Sequence, residues 1–370
     1  MDRKVDDIRL GDVCIKIGSG ATPRGGKDTY KIDGIPLIRS QNVLDFSFSN
    51  AGLAFIDDNQ ARLLNSVTVQ ENDVLINITG DSVARVCIIP TDYVPARVNQ
   101  HVAIVRANTD KADPYYLLYL LQFLKPQLLS IGSSGGTRNA LTKQMLENLE
   151  INIPLLSEQI KIGRILRVLD DKITNNKKIN HHLEQMAQAI FSEICSEGEN
   201  VILSDILTVC YGKDHKWLDS GEIPCYGSGG IMRYVDKAIY SGETVLIPRK
   251  GSLNNVLYIN EPFWTVDTMF YTRMIRPNVA KFVYFSVRNL DLAGMNVGSA
   301  VPSMTTAVLN ALEIVLPSDE NLASFEEDVS PMFLQMQANN MESSRLELLR
   351  DALLPRLMSG ELSVSDISNN

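Results

Sequence analysis

From Ile162 onward, apolar residues recur at alternating steps of four and three. The series runs Ile162, Leu166, Leu169, Ile173, then Asn176 and Asn180, then Leu183, Ala187, Ile190 and Ile194. This is a heptad seam, and it predicts one long amphipathic helix over roughly Ser157–Ile194. About forty residues at ~1.5 Å of rise each make a rod of roughly 60 Å. Adding 163 to each position gives Phe325, Val329, Met332, Met336, Asn339, Ser343, Leu346, Arg350, Leu353 and Leu357. The seam recurs, polar again in the middle and departing from apolar character once more at Arg350. A repeated rod most simply folds back as an antiparallel pair, with Asn176 and Asn339 near its middle, where polar seam residues fix register. Pro331 stands where the first rod has Val168, so a short helix over 319–329 is expected before a long one starting near Ser330, with Pro355 bending its last turns.

The rods alternate with segments that read differently. Val74–Ile78, Val86–Ile89 and Val102–Val105 are strand-like, and Asp113-Pro114 opens a helix that stops before Pro126. A short helix (Lys143–Asn148) and a strand (Leu149–Ile153) lead into Pro154. In the later segment, Val245–Ile247 is strand-like and a helix covers Val279–Val287. Another short helix (Thr306–Ala311) and strand (Leu312–Leu316) lead into Pro317. The repeat extends into both segments. Leu149-Glu150-Ile151 matches Leu312-Glu313-Ile314 at an offset of 163, Val74-Leu75-Ile76 matches Val245-Leu246-Ile247 at 171, and Ile35-Pro36 matches Ile223-Pro224 at 188. The shrinking offset gives the first segment about thirty extra residues by the same arithmetic, mainly in a loop-like stretch over 36–74 with Asn42, Asn50, Asp57 and Asp58. The expected fold is α+β. Two similar mixed domains (1–153 and 198–316) are separated by two long antiparallel coiled-coil helices (154–197 and 317–360) in a pseudo-two-fold repeat, with a flexible tail over 361–370.

Charge changes this picture through its location. The net charge is −9, yet the two mixed segments and the first rod are each within one unit of neutral. Residues 317–370, with 3 basic and 10 acidic side chains, hold most of the excess. A basic face on either domain is therefore compatible with the acidic total. The five cysteines form no CxxC pair, which suits reduced thiols in a cytosol, and Cys210, His215 and Cys225 fit no common zinc spacing. The N-terminal residues lack a signal-peptide core, and no apolar run is long enough to span a bilayer. Catalytic signals are sparse. There is no Walker loop, and Gly18-Ser19-Gly20 reads as a turn. No adenine-methyltransferase signature is present, and His101 reads as a core histidine within a strand.

Four stretches resemble one known family. They are Ile153–Ile162 (IPLLSEQIKI) with Leu169-Asp170-Asp171-Lys172-Ile173 and Leu183–Phe191 (LEQMAQAIF), and Leu349–Leu362 (LRDALLPRLMSGEL). The first three are similar to the central region of type I restriction–modification specificity subunits, and the last to their distal region. Gly18–Pro23 with Gly34-Ile35-Pro36, and Ile223–Gly230, Leu246–Ser252 and Phe263–Thr268, look like parts of their target-recognition domains. The resemblance implies a cytoplasmic, prokaryotic, non-catalytic subunit. Each domain would read one half of a bipartite double-stranded DNA target. The rods would set the gap and dock two methyltransferase subunits that bring S-adenosylmethionine, and a motor endonuclease (restriction) subunit would join for cleavage. The alternative is a repeat scaffold that binds only protein.

The family does not fix which residues touch DNA, so chemistry selects them. In the first domain the candidates are Thr22, Arg24, Lys27, Arg85, Gln100, Arg138 and Asn139. In the second they are Lys213, Lys216, Ser228, Arg233, Arg249, Lys250, Ser252, Asn254 and Asn255. Arg, Asn and Gln pair bidentately with purine edges, whereas Lys mostly meets phosphate.

Overall fold

The computed structural model describes residues 5–23, 25–133, 139–195, 198–295 and 303–364. Two compact units are present: residues 1–176 with 341–370, and residues 177–340. The division passes through both long helices, so each unit combines one mixed domain with a portion of each helix.

The first unit begins with β1 (Val5–Arg9), β2 (Cys14–Ser19), β3 (Ile35–Ile38), β4 (Ala54–Ile56), α1 (Asp58–Leu63), β5 (Thr68–Val69) and β6 (Val74–Asn77). It continues with β7 (Val86–Ile88), β8 (Ala96–Val98), β9 (Val102–Ala107), α2 (Pro114–Phe123), α3 (Lys125–Ser133), α4 (Lys143–Glu147), β10 (Glu150–Pro154) and α5 (Leu156–Ile194). Strands β1 and β10 pair antiparallel, Val5 opposite Pro154 and Arg9 opposite Glu150. One sheet has the order β2-β9-β6-β7, and another has β4-β3-β8-β5 with β3 and β8 parallel. The central strands are continuously apolar because both faces are covered. Val74, Ile76, Ala103 and Val105 join the core with Tyr116 and Leu117 of α2, while Leu75, Cys87 and Ile104 join Leu37, Ile38 and Val98 of the second sheet. Helix α2 starts where expected, with Asp113 Oδ1 accepting from Tyr116 N at 2.8 Å and Pro114 in its first turn.

The stretch over 36–74 is ordered structure rather than loop. Its polar residues satisfy local backbone groups. Asn42 is fully buried and donates to Ser49 O at 2.9 Å, and Asp57 caps α1 by accepting from Gln60 N at 2.9 Å, with Gln60 returning the bond. The residues expected as a tail are also partly packed. Leu362 N donates to Arg356 O at 2.9 Å and Val364 is buried in the core, whereas 365–370 lie outside the described residues.

Ile162, Leu166 and Ile173 of α5 are buried, and Leu169 is half-buried. Ile162 and Leu166 share a core with Leu354, Leu357 and Met358 of the second long helix, with Leu353 packed at its edge. Pairing is antiparallel. Asp170 meets Arg350, and farther along, Asn176 Nδ2 donates to Glu342 Oε2 at 2.8 Å and Ser343 Oγ at 3.3 Å. Arg350 departs from the apolar pattern because three groups hold it. Its guanidinium donates to Asp170 Oδ1 at 2.8 Å, bonds Asp351, and lies 3.7 Å from the centroid of the Phe46 ring. Tyr119 donates to the other Asp170 oxygen at 2.6 Å. Burial pushes the Asp170 carboxyl above the usual carboxylate range, against the pull of Tyr119 and Arg350.

The second unit repeats this frame through β11 (Glu199–Ile202), β12 (Leu207–Tyr211), β13 (Ile223–Gly227), β14 (Gly230–Val235), β15 (Glu243–Pro248), β16 (Leu257–Asn260), β17 (Trp264–Thr265) and β18 (Met269–Met274). Then come α6 (Ala280–Arg288), α7 (Thr306–Asn310), β19 (Glu313–Leu316) and α8 (Asp319–Ser359). Strands β11 and β19 pair as β1 and β10 do. The sheet order β12-β18-β15-β16 reproduces β2-β9-β6-β7, and β14-β13-β17 reproduces β4-β3-β8, with β13 and β17 parallel. Ala187 and Phe191 of α5 pack with Phe325 and Val329 of α8, and Phe191 lies 5.5 Å, ring to ring, from both Phe282 and Phe285 of α6. Leu183 is half-buried, and Ile190, Met332 and Met336 pack against this core. Asn339 Nδ2 donates to Asn180 Oδ1 at 2.7 Å, and Asn180 Nδ2 donates to Asn340 Oδ1 at 2.8 Å. Leu346 and Leu353, in the stretch of α8 that belongs to the first unit, are half-buried.

The expected break at Ser330 is absent, for α8 runs from Asp319 through Pro331 and Pro355 to Ser359. Proline removes one backbone donor. Burial of Phe325, Val329 and Phe333 on both sides of Pro331, together with Ser330 donating to Glu326 at 2.7 Å, holds the helix across that gap.

Phe325 is fully buried among aromatic rings. Phe325→Ala should therefore lower unfolding stability by about 3–5 kcal/mol, read as a lower urea midpoint. An unchanged midpoint would mean that the α5–α8 seam contributes little to this unit.

Candidate nucleic-acid interface

The ends of three neighbouring strands bring the first domain's candidate residues together. Strand β2 ends at Ser19, β6 ends at Asn77, and β9 starts at Val102. Gly18 and Ser19 belong to β2 rather than to a turn, and Gly20 follows at a close crossing. Gly20 N donates to Asn99 O and Val102 O, both at 3.2 Å, and a Cβ there would stand 1.7 Å from Val98 O. Only glycine permits this approach. It carries Thr22 onto the loop before β9, where the Thr22 hydroxyl bonds Gln100 Oε1. Gln100 Nε2 is 3.0 Å from His101 Nε2, and His101 Nδ1 is 2.6 Å from Thr79 Oγ1.

Arg85 sits in the β6–β7 turn, whose Gly80 N donates to Asn139 O at 3.2 Å. The segment after Asn139 bridges Thr79 through Ala140. Thr22, Arg85, Gln100 and Asn139 thus share one end of the sheet. Arg24 and Arg138 lie outside the described residues, as does the side chain of Lys27. His101 is half-exposed in the turn before β9, not a core residue of a strand. Its place two residues after Asn99, whose Oδ1 accepts from His101 N at 3.0 Å, was the local signal of a turn.

The second domain builds the same place with different side chains. Gly212 N donates to Met269 O at 3.1 Å, a Cβ on Gly212 would stand 2.0 Å from Val266 O, and Lys213 follows on the surface. Lys250 bridges Ser303, as Thr79 bridges Ala140; the offsets, 171 and 163, are those of the sequence repeat. Arg249 N donates to Thr268 O at 2.8 Å, its Nη1 donates to Asp267 O at 3.1 Å, and its guanidinium lies 5.5 Å from the Tyr211 ring centroid. Asn255 Nδ2 donates to Ser228 O at 2.9 Å, which ties the β13–β14 turn to the β15–β16 loop, where Ser252 is exposed.

Lys213, Ser228, Arg249, Lys250, Ser252 and Asn255 therefore belong to connected loops. Lys216 is exposed on the loop after β12. Two further candidates are likewise bonded to backbone, as Arg249 and Asn255 are. Arg233 Nη2 donates to Leu218 O at 2.8 Å, and Asn254 Oδ1 accepts from Ala293 N at 3.0 Å. The selection by charge and amide chemistry missed the exposed aromatics Tyr211 and Trp217. Trp217 is 60% exposed beside Lys237 and Trp264, and such rings beside cations suit stacking or sugar contacts.

Among the described residues, no group of three or more His, Cys, Asp or Glu side chains could hold a metal ion, and no helix is long and apolar enough to cross a membrane. All five cysteines are free, and burial pushes the Cys14 and Cys87 thiols up to about 12, which makes them poor nucleophiles.

A family profile described as the type I restriction modification DNA specificity domain matches residues 3–185 and again 196–327. The chain is 24% identical to the type I restriction enzyme MjaIX specificity subunit of Methanocaldococcus jannaschii, covering 99% of this chain and 94% of the relative. It is 21% identical to the HindI specificity subunit of Haemophilus influenzae, over 89% and 94% of the two chains. The fold is similar to the crystal structure of the type I restriction–modification S subunit from M. genitalium, with a TM-score of 0.62, 15% identity and 96% of each chain covered.

The glycine crossing gives an internal comparison. A Cβ on Gly18 would meet nothing within 4 Å, whereas one on Gly20 would collide with backbone. Gly20→Ala should cost about 1–3 kcal/mol and Gly18→Ala no more than ~0.5 kcal/mol. Thermal unfolding of the two variants compares them, and equal midpoints would show that the crossing is not as tight as described.

Proposed function

The chain belongs to the family of type I restriction–modification DNA specificity proteins, and on that premise we propose that the loops at its strand ends are the two readers of a split DNA target. The observation that carries this reading is the pair of loop clusters. Both sit at the ends of sheets with the same strand order, both are fixed by a glycine crossing and a matching bridge, and each displays its own side chains. A shared frame with unlike surfaces suits two unlike half-sites. Within each cluster, Gln100, Asn139, Arg249 and Asn255 have the chemistry for base edges, and Lys213, Lys216 and Lys250 the chemistry for phosphate.

The partners follow from the same reading. Two methyltransferase subunits dock on the paired helices and carry S-adenosylmethionine, and a restriction subunit completes the cleaving complex. This chain supplies recognition and no chemistry of its own, and it works in the cytoplasm, where its free cysteines stay reduced. Its two domains are each within one unit of neutral, so the partners supply much of the phosphate neutralisation.

Two experiments test the division of labour. Exchanging residues 198–316 for the corresponding domain of a relative should change only one half of the methylated sequence; a change in both halves would rule out independent readers. Inserting one heptad after Asn180 as a copy of residues 174–180, and one after Ser343 as a copy of 337–343, preserves the seam and repeats its polar layer in register. It lengthens the pair by about 10.5 Å at ~1.5 Å per residue, or roughly 3 bp of gap at ~3.4 Å per base pair. The inserted length also turns one half-site by about 100° at ~10.5 bp per turn, which lowers activity. Mapping methylated sites should return the same half-sequences with a wider gap, and an active variant with its original gap would refute the ruler.

A further inference from the structure

In the first domain, four side chains form a chain whose polarity is set link by link. The Thr22 hydroxyl faces Gln100 Oε1, which accepts. The amide nitrogen of Gln100 then faces His101 Nε2 at 3.0 Å, an assignment of amide and tautomer in which it donates to that nitrogen. With Nε2 accepting, the imidazole proton sits on Nδ1, 2.6 Å from Thr79 Oγ1. The loop beneath is fixed as well, because His101 N donates to Oδ1 of the buried Asn99, whose N donates to Ile38 O at 3.0 Å. Turning the Gln100 amide over would require the imidazole proton to move to Nε2 and both threonine hydroxyls to rotate. The four groups change together or not at all.

Gln100 is nevertheless exposed, at the end of the sheet where the other candidate contacts of this domain gather. Each end of its amide spends one valence within the chain. One acceptor site on the oxygen and one hydrogen on the nitrogen remain for a ligand, in either orientation of the amide. An adjacent acceptor and donor match the N6–H and N7 of adenine in the major groove, whereas guanine offers two acceptors there. Resting on the reading that this domain binds one half-site, we infer that Gln100 reads an adenine of that half-site, and that Thr22, His101 and Thr79 are positioning residues that hold its amide for the contact.

The test uses the full chain assembled with its methyltransferase subunit, on duplexes carrying the split sequence found by mapping methylated sites. Each adenine is replaced in turn by 7-deazaadenine, which lacks only the N7 acceptor. One adenine in one half should lose about tenfold in wild-type affinity. At that position Gln100→Ala should be less than twofold sensitive, and should tolerate other base pairs there while the opposite half is read as before. His101→Ala keeps Gln100 but frees it, and should reduce the N7 effect at the same adenine alone. Gln100→Glu, with the same size and no donor, should move the preference toward cytosine and provides a second variant if alanine unfolds the loop. A wild-type complex that binds the split duplex with no N7-sensitive adenine overturns this inference alone, as does a Gln100→Ala complex with undiminished N7 sensitivity. A wild-type complex that binds no split duplex removes the parent reading instead.

Discussion

Each long helix has a single apolar stripe, and that stripe has to be covered. Tertiary packing of an amphipathic face supplies most of a helix's stability in a folded protein. The cover comes from two directions at once. Ile162 and Leu166 belong to the same core as Tyr116 and Leu117 of the first domain and Leu357 of α8. Ala187 and Phe191 belong to the same core as Phe282 and Phe285 of the second domain and Phe325 of α8. A domain and its portion of the helix pair are therefore one packed body. Polar contacts add to the attachment: Tyr119 to Asp170 in one unit, Lys281 to Glu326 and Tyr284 to Glu184 in the other.

An apolar stripe alone would tolerate sliding by a heptad, since every seven residues the pattern returns. Polar seam positions remove that freedom, because each has a partner only in one register. Asn176 finds Glu342 and Ser343, Asn180 finds Asn340, and Asn339 finds Asn180. A slip would bury amides against methyl groups at a cost of about 1–3 kcal/mol for each group left unsatisfied. Arg350 acts in the same sense at one end of α8. Its bonds to Asp170 and Asp351 and its place over Phe46 require both one register and one position of the domain.

What was legible from the sequence follows from which interactions are local or periodic. Heptad spacing located the seam residues because helix faces follow arithmetic. Offsets of 163 and 171 located equivalent strands because the two domains share a frame. Asp113-Pro114 marked a helix start because capping is chemistry between near neighbours. The misreadings share a cause. The same short polar residues serve loops, caps and buried turns, so Asn42 and Asp57 read as loop, although Asp57 caps α1 through Gln60 by the same near-neighbour chemistry as Asp113. Pro331 is a local veto overruled by packing from Phe325, Val329 and Phe333. Arg233 and Asn254 have the chemistry of base readers, yet the structure engages them with backbone at Leu218 and Ala293. Tyr211 and Trp217 became candidates only once their exposure was known.

The two loop clusters separate position from identity. Main-chain bonds carry the positions: Gly20 to Asn99 and Val102, Gly212 to Met269, and the bridges Thr79–Ala140 and Lys250–Ser303. Those bonds are indifferent to the side chains they bring forward, so the position held by Thr79 in one domain is held by Lys250 in the other without disturbing a core residue. Exposed substitutions away from buried partners usually change stability by no more than ~0.5 kcal/mol. A frame of this kind can change what it reads at little cost to its fold. The exception is a side chain bonded into a chain of its own, as Gln100 is with Thr22, His101 and Thr79. There the reader and its supports must change as a group, which makes that corner of the surface the least free to vary.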